Sequence, residues 1–391
     1  MSMHHLRGAR TLLAGAATAA LLLGGALGAS ADPINPDTGA GELRALNGSG
    51  SDTTQDLNNG LASVVEHEGQ LVLGSYDATI PAGDDNFIQS SDGGPEIPRP
   101  NGSSQGVAAL RAAVTNTTLT NARGTSSGPL STDDLIFSRS SSAATFVSGG
   151  TYSYIPLALD AVTFATHSNN TTIPGDLTQA DLEAIYSAAD GATVSLSAGS
   201  FTVGEGQQIV PFIPQAGSGT RSFWLSALGL TEDTVGSAVA DEYDGNLVQE
   251  HDGSVLADVP NAMVPFSIAQ YVAQGNSADL ANDYAITVNN RINGAELGQV
   301  AGVNPIVGEE LNTEFPIRRP VYTVVPFAEL ASNAALAAVF EGENGLAYTA
   351  LNPVTQSSLV ITDFGFGDLT GGVTIDDVTY NPGDTTSFRA N

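Results

Sequence analysis

Four times along this chain a cluster of glycine, serine and threonine stands between an apolar, strand-like run and a segment with helical spacing. The clusters are residues 48–54, 101–105, 138–142 and 217–221, and a helix is expected after each. Strand, small-residue loop and helix in repeated succession restrict the chain to an α/β architecture with mostly parallel sheets and helices on both faces. The first helix carries Leu57, Leu61, Val64 and Val65 at a 3.6-residue period; the second opens at Gln105 with Val107, Leu110 and Val114 on one face. The next begins at Thr178, where Asp181 completes a capping box and Leu177 and Leu182 form a hydrophobic staple. Another bears Trp224, Leu225 and Leu228, and one more covers residues 329–340. Strands are expected at 43–47, 71–76, 135–137, 209–213, 263–266, 286–288 and 321–325. The long β-type run 152–165 is expected to cross between two domains, with Asp160 steadying an arginine or the hinge.

Composition removes whole classes of chemistry. The chain has 391 residues, a formal net charge of −30, no cysteine, and 12 basic residues that are all arginine. Without cysteine there is no disulfide framework, thiolate nucleophile or Cys-ligated metal, and without lysine no Schiff base. So acidic a surface repels nucleic acid and anionic membranes. It does not forbid a small anion, because surface charges beyond about 8 Å are screened at physiological salt. Residues 1–31 read as a secretory signal peptide: Arg7 and Arg10, an Ala/Leu/Gly run, then Ala29-Ser30-Ala31 as the cleavage pattern. Asp32 is the expected mature N-terminus, and the protein is expected to be secreted, without a lipid-anchoring cysteine.

The loop design itself points to anions. A helix N-terminus leaves backbone N–H groups unpaired and carries about half a positive charge. Glycine admits a ligand to the backbone, and Ser/Thr hydroxyls add donors. In open α/β sheets such loops gather where ligands bind.

Over roughly residues 43–350 the sequence also resembles the periplasmic phosphate-binding proteins of the type II periplasmic-binding-protein superfamily. Residues 47–55 are similar to the family's first Gly-rich anion loop, and Gly102-Ser103-Ser104-Gln105-Gly106 to its second. Residues 177–186 (LTQADLEAIY) resemble a helix of its second domain, and Gly217-Ser218-Gly219-Thr220 its "GSGT" loop. The resemblance implies two lobes joined by crossover strands, an oxyanion held between them, no catalysis and no cofactor. Lobe 1 would comprise 32–155 and 286–350, lobe 2 156–285, and 351–391 a β-like extension with a mobile end. Ligand donors carried over by the resemblance are Ser103 or Ser104, together with Ser218, Gly219 and Thr220; Ser51, Asp52 and Thr53 align approximately. The chain departs from the family at two points. The family's third loop has Ser-Asp, whose carboxylate accepts the proton of hydrogen phosphate; here Ser138-Arg139 stands, followed by Ser140. Four residues before the serine of "GSGT" the family has arginine, and here Pro214 stands. Arg139 is expected to replace the lost cation and Asp52 the lost acceptor, with Arg221 a further candidate contact.

The reading is therefore a monomeric, secreted solute-binding protein for a small inorganic anion, phosphate first, with an ABC-type permease as partner. Its rival is a secreted or cell-wall-associated protein using the same fold for scavenging, adhesion or a partner interface. A hydrolase is disfavoured: beyond the signal peptide the histidines are His67, His167 and His251, apart in sequence and away from the serine loops. They read as ordinary surface or loop residues. Residues 240–246 and 251–253 read as solvated turns rather than a calcium loop, since EF-hand spacing fails.

Overall fold

The computed structural model describes residues 32–33, 41–80, 86–121 and 123–391, so the signal-peptide reading at 1–31 lies outside the described residues. One mixed sheet runs through the molecule. The main path of its nine strands is β1 (Leu46–Gly50), β2 (Leu73–Ser75), β3 (Phe137–Ser140), β4 (Tyr152–His167), β5 (Val210–Pro211), β6 (Ala262–Ser267) and β7 (Arg318–Pro326), and Ala295–Leu297 and Arg389–Ala390 pair onto β4. Their order across the sheet is β5-β6-β4-β7-β3-β1-β2. At one end β1 pairs parallel with β2 and β3, and at the other β5 pairs parallel with β6. The two long strands in the middle, β4 and β7, are antiparallel to each other and to their outer neighbours.

β4 is the crossover run expected from the sequence. Fourteen of its sixteen residues are buried, from Tyr152 through Ala165, which is why it reads as continuous apolar sequence instead of alternating. Pro156 lacks an N–H, and the register against β7 slips between Pro156 and Ala158, so a bulge absorbs a residue that could not join the ladder. Asp160, the charged residue in this apolar strand, lies directly opposite Arg319 of β7.

The helices that matter to the site start at the ends of the outer strands: α1 (Gln55–Val64) after β1, α2 (Ser103–Thr115), α3 (Gln179–Tyr186), α4 (Gly219–Ala227) and α5 (Ile268–Gly275) after β6. Thr178 caps α3 in a capping box with Asp181, as the sequence spacing predicts. Several expectations are corrected. The third loop opens no helix; residues 141–151 are irregular and lead straight into β4. Residues 286–288 form no strand, and 329–340 is broken into two short helices, Phe327–Ser332 and Ala334–Phe340, at Asn333, whose side chain caps the second. The C-terminal stretch is also tied down: Arg389–Ala390 pairs with Tyr152 and Ser153 at one end of β4, and Phe388 packs among Phe146, Tyr322 and Tyr380.

Among the described residues, no helix is long and apolar enough to cross a membrane.

Candidate functional site

All four small-residue loops, from opposite ends of the sheet, meet in one buried knot of hydroxyl groups. The loop after β1 contributes Ser51 and Thr53, the loop after β3 contributes Ser141, and Ser103 comes from the first turn of α2. From the other end Ser218 and Thr220 stand at the start of α4. Ser141 is the hub: Ser51 Oγ donates to its Oγ at 2.9 Å, Thr53 Oγ1 lies 3.2 Å away, and its N–H donates to Ser103 Oγ at 3.0 Å. Thr53 and Thr220 hydroxyls are 3.1 Å apart across the junction. A methyl group at Gly219 would overlap Ser103 Oγ and Ser141 Oγ, so the missing side chain lets the two ends of the sheet approach this closely. Gln215 Nε2 donates to Asn101 Oδ1 at 3.1 Å and bridges the same junction from the rim. Two open cavities of about 520 and 510 Å³ share Asn101 and Gln215 in their walls and lie outside the knot.

The knot holds a carboxylate. Glu250, fully buried, accepts at Oε1 from Thr53 Oγ1 at 2.7 Å and from Thr220 Oγ1 at 2.8 Å, and at Oε2 from Ser218 Oγ at 3.2 Å. Burying a carboxylate is costly unless its oxygens are hydrogen-bonded, and these hydroxyls supply that compensation. Ser218 Oγ meanwhile accepts from the N–H groups of Thr220 and Arg221, so the α4 N-terminus polarises one of the donors. Arg319 provides the cation: its Nη2 donates to Thr220 Oγ1 at 2.7 Å and to Asp160 Oδ2 at 2.8 Å, and its Nη1 to the Ser141 carbonyl at 2.8 Å. Asp160 is fixed in turn by Ser267 Oγ at 3.0 Å and by the Ala269 N–H. Gln270 Nε2 holds the Thr53 carbonyl at 2.6 Å.

Beside Glu250 stand Asp52 and His251. Burial, and then the charge of Glu250, push the Asp52 carboxyl well above the usual carboxylate range. Burial, helped by Arg291, holds the His251 imidazole well below its ordinary value, so it is neutral.

The remaining sequence candidates are placed around this knot. Ser104 is exposed at the rim, where its N–H reaches the Gly217 carbonyl at 3.4 Å. Ser138 is buried beneath α2, its hydroxyl near Gly106, and Ser140 turns back onto the Ser142 carbonyl. Arg139, expected to supply the lost cation, is fully buried but directed elsewhere: Nη1 donates to Ser75 Oγ at 2.7 Å and Nε to the Ser51 carbonyl at 3.1 Å, bracing the first loop from behind. Burial lowers its pKa to about 10. Arg221 points outward to Glu232 and Asp241, at 2.7 Å each, and to the Pro214 carbonyl. Neither arginine donates to the Glu250 carboxylate.

Sequence reasoning missed Glu250, Arg319 and the place of His251, which is 1% exposed and not the ordinary surface or loop residue expected. A signal existed for Arg319: Asp160 is a charge in a strand otherwise fit for full burial, and such a charge demands a buried partner. For Glu250-His251 no local pattern exists, since their role depends on a loop folding back on the first cluster. Two stretches spell G-x-S-x-G: residues 124–128 (GTSSG) lie in the hairpin of Thr118–Thr120 with Ser126–Pro129, and residues 102–106 (GSSQG) put Ser104 in the first turn of α2, exposed and, among the described residues, with no histidine hydrogen-bonded to it.

Residues 86–343 match the model of a PBP superfamily domain. No curated protein matches the sequence. Solved structures similar to this chain include a putative phosphate ABC transporter substrate-binding protein with bound phosphate from Clostridium perfringens, at 16% identity, covering 72% of this chain and 85% of that one with a TM-score of 0.42. An ABC-type phosphate transport receptor from Vibrio cholerae shows 16% identity over 68% of this chain and 86% of its own, with a TM-score of 0.40. A human phosphate-binding apolipoprotein shows 14% identity over 88% of this chain and 99% of its own, with a TM-score of 0.42.

Proposed function

This chain belongs to the PBP superfamily, and from that premise we propose that it is a secreted solute-binding protein that holds phosphate or a similar small oxyanion between two lobes. One observation carries the reading: the hydroxyls of Thr53, Ser218 and Thr220, drawn from both ends of the sheet, already converge on an oxyanion, the carboxylate of Glu250. Donors fixed in a buried site need no reorganisation when a ligand arrives, so they favour any small oxyanion that fits the same points. The two oxygens of Glu250 occupy positions that two oxygens of the ligand would take. Arg319, anchored by Asp160, supplies positive charge through Thr220, and the α4 N-terminus supplies it through Ser218.

The ligand enters by displacing Glu250, which turns out of the knot as the lobes part along β4 and β7. This makes Glu250 a competitor for the site: a carboxylate tethered inside it has a high effective concentration and lowers the apparent affinity for a free anion. The protein acts after export, by delivery to an ABC-type permease, and performs no catalysis.

Calorimetric titration of the purified protein with phosphate, sulfate and small organic anions tests the proposal. One anion bound per chain is expected, with Thr220→Val weakening it by about tenfold or more, because a hydrogen bond to a charged group is lost. Absence of binding to every anion, in both the natural chain and Glu250→Gln, would overturn it.

A further inference from the structure

The groups on the far side of Glu250 are not explained by anion binding. Asp52, Glu250 and His251, all buried, place one potential ligand atom each within 4.8 Å of one another. Both ring nitrogens of His251 have no hydrogen-bond partner, although the residue is 1% exposed, and Asp52, 3% exposed, lies against the Glu250 carboxylate. His251 Nδ1 stands 3.6 Å from Asp52 Oδ2, too long for a hydrogen bond. Buried polar atoms left in this way are rare and costly. An imidazole with no partner, packed beside the two buried carboxyl groups of Asp52 and Glu250, asks for a cation.

We propose that Asp52, Glu250 and His251 form a binding site for one divalent transition-metal ion of the zinc class. The donor set, one imidazole nitrogen with two carboxylate oxygens, suits zinc better than the all-oxygen shells of calcium or magnesium. Ligand bonds of about 2.1 Å in tetrahedral geometry separate the ligand atoms by about 3.4 Å, close to the 3.6 Å between His251 and Asp52. The ligand backbones are held in place: Asp52 Oδ1 accepts from the Thr53 N–H at 3.1 Å, the Glu250 carbonyl from Ser267 N at 3.0 Å, and the His251 carbonyl from Gln274 Nε2 at 2.8 Å. Three protein ligands leave a fourth position for water or an anion. Asp52 precedes α1, whereas Glu250 and His251 precede β6, so the ion ties opposite ends of the sheet together. The same ion neutralises the carboxylate that competes for Thr53, Ser218 and Thr220.

The site shares Glu250 with the anion reading, since an ion bound there holds Glu250 in the knot, but metal alone tests it. The purified protein, stripped with a chelator, is titrated with zinc and separately with cobalt in anion-free buffer. One high-affinity zinc per chain is expected, with a rise in the unfolding temperature, and a visible cobalt spectrum of tetrahedral type. His251→Ala and Asp52→Asn are each expected to lower zinc affinity at least tenfold and to remove the cobalt spectrum, with circular dichroism reporting that each variant is folded. No zinc binding by the natural chain, or zinc binding undiminished in folded His251→Ala, overturns the proposal.

Discussion

Thr220 shows how much a single side chain does here. Its hydroxyl gives its proton to Glu250 and receives one from Arg319, so it links the cation to the oxyanion without direct contact between them. Arg319 keeps its own carboxylate, Asp160, and the two neutralise each other in the crossover strands. A ligand therefore meets directed dipoles instead of a bare ion pair, and its charge is balanced through hydroxyls. Asp77 contributes to the acid–base behaviour of the fold. Asp77 is buried, accepts from Asn59 Nδ2 at 2.8 Å, and its carboxyl is pushed up to about 7 by that burial. In the unfolded chain an aspartate titrates near about 3.9. Between those values the folded state binds the extra proton, so stability is greatest at the acid end of the window and falls as pH rises toward 7. Thermal unfolding measured from pH 4.5 to 8 is expected to show this decline, and Asp77→Asn is expected to make it shallower, with Asp52 and Asp56, also raised by burial, supplying the rest. A variant with the same slope as the natural chain would remove Asp77 as a source of it.

At the scale of elements, what could be read in advance depended on whether the signal was local. The α3 cap is local in full: Thr178 accepts from the Asp181 N–H, and the Asp181 carboxylate accepts from the Thr178 N–H at 2.9 Å. Thr178→Ala is expected to cost about 1 kcal/mol in denaturant unfolding. An unchanged midpoint would show that the reciprocal bonds of Asp181, which also accepts from Ser197 at 2.6 and 2.7 Å, carry the helix start alone. The loops after β1 and before α2 and α4 were equally legible, because Gly/Ser/Thr clusters before helical spacing have a physical reason to be there. The third cluster misled on its helix: Ser141 and Ser142 look like N-cap residues, yet the chain there is committed to pairing β3 with β1 and β7 and runs on into β4. The break at Asn333 was hidden because Ala and Leu on both sides favour helix, while the Asn333 side chain bonds the Leu336 N–H and starts a second helix. Arg139 and Arg221 lay in the right loops, but loop membership does not fix direction. Arg139 extends toward Ser75 of β2, and Arg221 toward Glu232 and Asp241.

For the whole molecule, the net charge of −30 is compatible with the proposed anion site because the two act at different ranges. Exposed carboxylates are screened within about 8 Å, whereas the hydroxyl knot lies in a desolvated interior where each dipole counts for more. The carboxylate that would compete with the proposed ligand is Glu250, already inside. The crossover strands β4 and β7 connect the two ends of the sheet and also carry Asp160 and Arg319, so motion of one end against the other is coupled to the cation at the site. If the leader is removed as the small-residue pattern predicts, N-terminal sequencing of the secreted protein begins at Asp32; a start at Met1 would contradict export by cleavage.

The central claim is that the hydroxyls now holding Glu250 are the ligand's donors. A crystal structure of the protein grown with excess phosphate tests it most directly. The account predicts phosphate density within hydrogen-bond distance of Thr53, Ser218 and Thr220, with the Glu250 side chain turned out of the knot. Glu250 still bonded to those three hydroxyls, with phosphate bound elsewhere on the chain or not at all, would contradict it.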